Sequence, residues 1–257
     1  MKTWGNLWDL LGLRLVQLIG VSGGARVLDV GTGGGSTLIA SLRCVGPTGY
    51  VFSLDKDEKW ATHVNSELKR LNVVNAEVKH MDAKAIEMPD ASFDFVISGF
   101  LGWGQCFDFS KMSFHSPDLV MSEMHRTLRV GGKLGISTWL LQSDTEWMES
   151  FVASFDFPAK RVYSKENEKG WEIIMRESPF EKFTLLSETI EYPYATRDEW
   201  WEEMLAYGWK AQIDELCIAK NVPIAKVKDM AFDRIDENCS ENGVRLPRRI
   251  LFILADK

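Results

Sequence analysis

The chain has 257 residues, 45% hydrophobic and 26% charged, which suits one large α/β domain or a core plus a small appendage, with an ordinary globular interior. A formal net charge of −7 excludes a broadly basic surface, so a nucleic-acid partner is not expected, and the pair Arg248-Arg249 is too short a run to change that. Four cysteines, Cys44, Cys106, Cys217 and Cys239, form no CxxC pair; they read as reduced thiols of a cytoplasmic protein rather than as metal ligands or a disulfide framework, and no metal site is expected.

Taken in chain order, the segment Leu7–Val21 is apolar but broken by Asp9, Arg14 and Gln17. It lacks the basic start and small-residue cleavage site of a secretory signal and is shorter than the about 20 residues a spanning helix needs. It reads as an amphipathic helix packed on the domain, within an N-terminal element of residues 1–22. From 23 to 140 short β-type runs alternate with helical patterns, the signature of a parallel sheet with crossover helices. Strands are expected at 26–30, 50–54, 76–81, 93–98 and 133–138. A helix starts at Ser36. A second carries Trp60, Val64, Leu68 and Leu71 on its packed face. A third is expected to begin at Ser116-Pro117-Asp118, with Ser116 as its cap and Val120, Met124 and Leu128 buried, and to stop at Gly131-Gly132.

Beyond residue 140 the pattern changes. Trp147, Phe151 and Phe155 suggest a helix, 183–192 a sixth strand, 198–207, 211–220 and 224–237 further helices, and 250–255 a final buried strand whose direction periodicity cannot show. The whole reads as one domain: a core at 23–140, helical elements with the sixth strand at 141–247, and a last strand at 248–257.

The residues with chemical meaning cluster at strand ends. Gly31, Gly33 and Gly35 follow the first strand, where a glycine-rich turn lets the backbone approach a ligand. Dinucleotide-binding dehydrogenases use a related GxGxxG loop, but here Ser36 stands at its sixth position and Asp29 precedes it. Asp55 ends the second strand, 24 residues after Gly31, where a carboxylate can accept from both ribose hydroxyls of an adenosine. Asp82 ends the third, where an acid can accept from an adenine amino group or close a turn.

These segments resemble the class I S-adenosylmethionine (SAM)-dependent methyltransferases. The likeness is carried by Val27-Leu28-Asp29-Val30-Gly31-Thr32-Gly33-Gly34-Gly35, by Phe52-Ser53-Leu54-Asp55, by Met81-Asp82-Ala83, by Phe93-Asp94-Phe95-Val96-Ile97-Ser98, and by Leu128-Arg129-Val130-Gly131-Gly132-Lys133-Leu134, in which Val130 stands where proline is usual. Within that class the chain is similar to the broad small-molecule group typified by the ubiquinone and menaquinone biosynthesis enzymes, on Glu123-x-x-Arg126-x-Leu128 and the strand–helices–strand ending. The resemblance implies a Rossmann-like fold, a seven-stranded, mostly parallel sheet with helices on both faces and a helical C-terminal insertion or lid. It implies SAM as cofactor and S-adenosylhomocysteine as product, with Asp29, Gly31, Thr32, Gly33, Gly35, Asp55, Lys56, Asp82, Ala83, Ser98 and Gly99 at the cofactor. A protein that keeps the fold and binds SAM or a partner without turnover is the alternative.

Methyl transfer from a sulfonium is an in-line displacement with a good leaving group, so positioning dominates and a base is needed only when the acceptor must lose a proton. The acceptor signature is correspondingly thin. No (D/N)-P-P-(Y/F) tetrad follows the fourth strand, no acid at Ser98 supports a magnesium site, and no Pro-Cys pair suggests attack on cytosine. The loop Gly99–His115, with Trp103, Gln105, Cys106 and Phe107, is the expected substrate wall and His115 the candidate base. Trp171, Trp200, Trp201 and Trp209 could form an aromatic lid or pack as core. A small-molecule acceptor is expected, its reacting atom and the oligomeric state left open.

Overall fold

The structure, a computed structural model, describes residues 7–159, 166–235, 239–240 and 243–257. Helix α1 (Leu7–Ile19) is followed by β1 (Arg26–Val30), α2 (Ser36–Val45), β2 (Tyr50–Asp55), α3 (Glu58–Arg70), β3 (Ala76–His80) and β4 (Phe93–Gly99). A hairpin of β5 (Phe107–Asp108) and β6 (Ser113–Phe114) precedes α4 (Leu119–Thr127) and the long β7 (Leu128–Gln142). Then come α5 (Ser143–Ala153), α6 (Glu168–Glu177), β8 (Lys182–Glu191), α7 (Arg197–Met204), α8 (Lys210–Lys220), α9 (Ile224–Ile235), the short β9 (Cys239–Ser240) and β10 (Gly243–Val244), and β11 (Pro247–Asp256).

Seven strands form one sheet in the order β3-β2-β1-β4-β7-β11-β8. The pairs β1–β2, β1–β4, β2–β3 and β4–β7 are parallel. Lys257, just past the end of β11, exchanges two backbone hydrogen bonds with Gly131 and Gly132 near the start of β7, so β11 runs against β7. This is the Rossmann-like sheet with flanking helices that the strand–helix alternation predicts. Its central strands are near-continuous apolar runs because helices cover them: in β1 every residue from Val27 to Val30 is buried.

The chain divides into two compact units. In the first, which holds residues 1–139, 164–188 and 251–257, α1 buries Leu7, Leu11, Leu15, Val16 and Ile19. Gly12 lets it cross the start of α2 closely, since a Cβ there would lie 2.8 Å from the Ser36 carbonyl oxygen. Leu15 and Ile19 pack over Gly135 in the middle of β7, while Trp8 meets Trp139 further along that strand. Helix α1 therefore runs antiparallel to β7 and carries Trp8 to the C-terminal ends of the parallel strands.

Several local expectations change. Helix α3 buries Val64 and Leu68 as expected, and Ala61 with them, leaving Trp60 45% and Leu71 43% exposed; the buried residues lie about 40–100° round the helix from Trp60, which sits at the margin of the packed face. The cap of α4 is Asp118, whose carboxylate accepts from Met121 N at 3.1 Å, not Ser116, and the buried stripe is Met121, Met124 and Thr127. The third strand stops at His80. The last part of the helix expected at 224–237 lies outside the described residues.

The second unit holds 140–163 and 189–250. Its core is aromatic: Trp200, Trp201 and Trp209 are buried with Met148, Phe151 and Met204. Trp147 stacks on Phe151 at 5.1 Å and meets Trp200 edge-on at 5.0 Å. A π-turn, Leu205–Trp209, joins α7 to α8, with Gly208 at φ 99°. Arg248 is buried here: its guanidinium donates to Asp144 at 2.5 and 3.2 Å and to Tyr194 Oη at 2.6 Å. The fourth tryptophan, Trp171, is core of the first unit, against Trp103 at 4.9 Å.

Candidate cofactor and acceptor site

The glycine turn is built from its own hydrogen bonds. Gly31 N and Thr32 N both donate to the Leu54 carbonyl, at 2.9 and 3.0 Å, which ties the end of β1 to the end of β2. Gly33 N donates to Asp55 Oδ2 at 2.8 Å and Gly35 N to the Thr32 carbonyl. These amides are engaged within the protein, so the loop's use to a ligand is close approach. Gly31, Gly33 and Gly35 have φ of 78°, 47° and 87°, which L side chains rarely adopt. Gly31 is also crowded: an added Cβ would lie 2.7 Å from Leu101 Cδ1.

Asp55 stands beside this turn, half-buried, with Oδ2 held by Gly33 N and Oδ1 by Asp57 N, both at 2.8 Å. Each oxygen keeps lone-pair capacity for a further donor. Met81 N donates to the Asp55 carbonyl at 2.9 Å, which brings the end of β3 alongside. Asp82 and Lys56 are exposed there and Ala83 is buried. Asp82 Oδ1 accepts from Lys84 N at 2.9 Å, closing a turn. The His80 ring meets the Lys56 carbonyl at 3.0 Å; no motif singles it out in the sequence.

Asp29 lies beneath the turn, fully buried, accepting from Thr37 Oγ1 at 2.6 Å and Ser53 Oγ at 3.0 Å. Burial pushes its carboxyl up to about 6 against the pull of the hydroxyls. Ser98 is buried and donates to the Val30 carbonyl at 2.9 Å, so its side chain ties β4 to β1. Gly99 abuts the Thr37 methyl, which a Cβ would approach to 3.0 Å. The structure thus gathers the ends of β1, β2, β3 and β4, with Asp29, Asp55, Asp82, Ser98 and Gly99, along one edge of the sheet.

The segment after β4 is a packed hairpin. Trp103, Cys106, Phe107 and Phe109 are buried, and Phe107 meets Phe109 and Phe114 at 5.0 and 4.9 Å. Burial pushes the Cys106 thiol up to about 12, which leaves it protonated and unreactive at neutral pH. Gln105 and His115 are exposed, and His115 N donates to the Cys106 carbonyl. Of the expected wall, then, Trp103, Cys106 and Phe107 are used in packing. What fixes the segment is a residue the sequence did not single out, Glu166. Its buried carboxylate accepts from Trp103 N at 2.8 Å, Thr138 Oγ1 at 2.7 Å and Trp171 Nε1 at 2.8 Å. Trp103 Nε1 donates in turn to Asp118 at 2.7 Å.

Residues 22–198, more than half of the chain, match the family described as a methyltransferase domain. The chain belongs to that methyltransferase family. The demethylmenaquinone methyltransferase of Listeria welshimeri is 30% identical over 142 residues, 55% of this chain and 56% of the relative; the chain thus matches only about half the length of that curated relative. A crystal structure of a SAM-dependent methyltransferase from Aquifex aeolicus aligns with a TM-score of 0.50 at 20% identity, covering 68% of this chain and 82% of that one. The YcgJ protein of Bacillus subtilis aligns with a TM-score of 0.57 at 15% identity, over 96% and 98%.

In this methyltransferase-family chain the motif helix of α4 also has a visible task. The Arg126 guanidinium bonds Glu123, Asp90 and the carbonyls of Ile86 and Met88, and Glu123 accepts from Ile86 N at 2.7 Å. That clamps the segment running on from Asp82. No cluster able to hold a metal ion occurs among the described residues, and no helix among them is long and apolar enough to cross a membrane.

Asp29 supplies a pH prediction. Its folded-state value, about 6, lies above the 3.8 of a free Asp. Protonated Asp29 therefore contributes stability that is fully present below about pH 4 and lost as pH rises through 6. The shift corresponds to about 3 kcal/mol. Asp29→Asn cannot ionise, so its stability relative to the parent should rise by up to that amount between pH 4 and pH 7. Urea unfolding at both pH values checks this; an equal difference at the two would show that Asp29 does not titrate there.

Proposed function

We propose that this chain transfers a methyl group from SAM to a small-molecule acceptor. The observation that carries this reading is the Asp55 carboxylate, held at 2.8 Å by Gly33 N beside a left-handed glycine turn, in a chain of the methyltransferase family. On this reading Asp55 accepts from the ribose hydroxyls. Asp82 and Ala83 border the adenine, with the stem of Lys56 across from them. Gly33, with nothing within 4 Å of where a Cβ would stand, lets the cofactor approach the backbone of the turn formed with Gly31, Thr32 and Gly35, and Asp29 supports that turn from below. Ser98 and Gly99 border the methyl donor at the end of β4.

The cofactor supplies an activated methyl group. The protein's part is to bind, orient and exclude water. His115, exposed at the end of the hairpin, is the proposed base for acceptors that must lose a proton. An acidic chain and a relative named demethylmenaquinone methyltransferase support a small-molecule acceptor rather than a nucleic acid. Three described cysteines are free thiols, which suits a cytoplasmic setting.

Isothermal calorimetry tests the reading. SAM and S-adenosylhomocysteine should each bind at one site, and nicotinamide dinucleotides should give no heat. Failure of both adenosyl ligands to bind would overturn the assignment. Binding without turnover across a panel of acceptors would favour a non-catalytic SAM-binding protein.

A further inference from the structure

Three aromatic rings meet at the C-terminal ends of β4 and β7, beside the glycine turn. Trp8 comes from α1, Phe100 from the residue after β4, and Trp139 from β7. Phe100 and Trp139 lie 4.4 Å apart between centroids at 32°, and Trp8 meets them nearly edge-on at 5.4 and 5.8 Å. All three are half-buried, whereas the tryptophans of the cores, Trp103, Trp171, Trp200, Trp201 and Trp209, are at most 2% exposed. Phe100 holds φ 55°, a left-handed backbone that costs a bulky residue energy, and its amide donates to the Ser137 carbonyl at 2.8 Å. That twist keeps its ring among the other two, and the next side chain, Leu101, covers Gly31.

The position matters because of how the cofactor must lie if Asp55 and Asp82 hold its ribose and adenine, the reading on which this inference rests. Those two acids lie on the β2–β3 side of the glycine turn. The sulfonium end then falls on the other side, at β4, and an acceptor has to approach it in line from the ends of β4 and β7. We infer that Trp8, Phe100 and Trp139 form the acceptor-side wall, so that the N-terminal helix contributes to specificity, and that this wall takes a flat, apolar ring.

The spacing of the rings decides between two aromatic-loving ligands. A quaternary ammonium is held inside a box of rings, each facing the cation within about 6 Å of its centroid. Here the rings touch one another, so no ammonium fits between them. The three rings stay half-buried, and the ring surface they leave accessible suits offset or edge-on contact with a planar ring.

The test uses the full chain saturated with S-adenosylhomocysteine and 2-naphthol as the probe. With 5-fluorotryptophan incorporated, the fluorine resonances of Trp8 and Trp139 should shift on titration, and that of Trp60, exposed on α3, should not. Trp8→Ala and Trp139→Ala should each weaken 2-naphthol by about three- to tenfold, with S-adenosylhomocysteine affinity within twofold of the parent; Trp8→Phe should retain most of the binding. Unmoved Trp8 and Trp139 resonances, no binding of 2-naphthol to the loaded protein, or tetramethylammonium binding that these substitutions abolish would each overturn the inference. Failure of S-adenosylhomocysteine itself to bind would instead overturn the cofactor reading beneath it.

Discussion

Replacing Asp55 by alanine is expected to weaken SAM binding by roughly tenfold to a hundredfold for each ribose hydrogen bond lost. A hydrogen bond involving a charged partner contributes about 1.5–3 kcal/mol, and on the proposed reading this carboxylate accepts from both ribose hydroxyls. Its orientation is fixed before any ligand arrives, because Gly33 N and Asp57 N hold one oxygen each at 2.8 Å. The loss should therefore appear in affinity rather than in a slow rearrangement. Removing the carboxylate also frees the Gly33 amide, so part of the loss comes from a looser glycine turn. Asp55→Asn separates the two contributions: it keeps one acceptor oxygen but no charge, and should fall between the parent and the alanine variant. Calorimetry with S-adenosylhomocysteine measures both, and unchanged affinity in Asp55→Ala would remove Asp55 from the site.

The largest stability effect is expected at Asp144. Its side chain and that of Arg248 are 3% and 1% exposed, and the pair is completed by Tyr194 Oη at 2.6 Å from the guanidinium. Arg248 also drives the chemistry of its neighbour only modestly: burial raises the Tyr194 hydroxyl despite the adjacent cation, so the tyrosine stays neutral and accepts. Asp144→Ala takes the carboxylate away from a buried guanidinium, and breaking a buried pair in this way costs about 3–5 kcal/mol. A double change, Asp144→Leu with Arg248→Met, removes both charges and should recover most of that, because a buried pair contributes little over a packed apolar one. Urea unfolding followed by tryptophan fluorescence reads this unit well, since Trp200, Trp201 and Trp209 lie in its core. A loss under about 1 kcal/mol in Asp144→Ala would show that the guanidinium finds another partner or water.

How far the sequence reaches differs between the parts of the molecule. The edge carrying Asp29, Gly31, Asp55 and Asp82 is legible because each residue lies at or within two residues of the C-terminal end of a short β-type run, and because parallel strands joined by helices must all end on the same side. The sheet itself follows from the same alternation. The hairpin within the Gly99–His115 segment is not legible, because two-residue strands are too short for a period to show; Phe107 packs on Phe109 and Phe114, and Phe109 meets Trp171. Spacing alone places Trp60 and Leu71 with Val64 and Leu68; the latter two are buried as expected, but Ala61 joins them and the packed stripe leaves Trp60 and Leu71 exposed at its margin.

By itself, then, the sequence determined the sheet, the glycine turn and the acids beside it, all encoded in local period and in neighbours close along the chain. The tertiary structure alone decided that β11 runs against β7, that Arg248 is a buried ion-pair partner 104 residues from Asp144, that Glu166 fastens Trp103 from 63 residues away, and that Trp8 meets Phe100 and Trp139. The physical reason is common to these: charges and rings far apart in the chain pair according to which surfaces the packed elements bring together, and no local pattern records that choice.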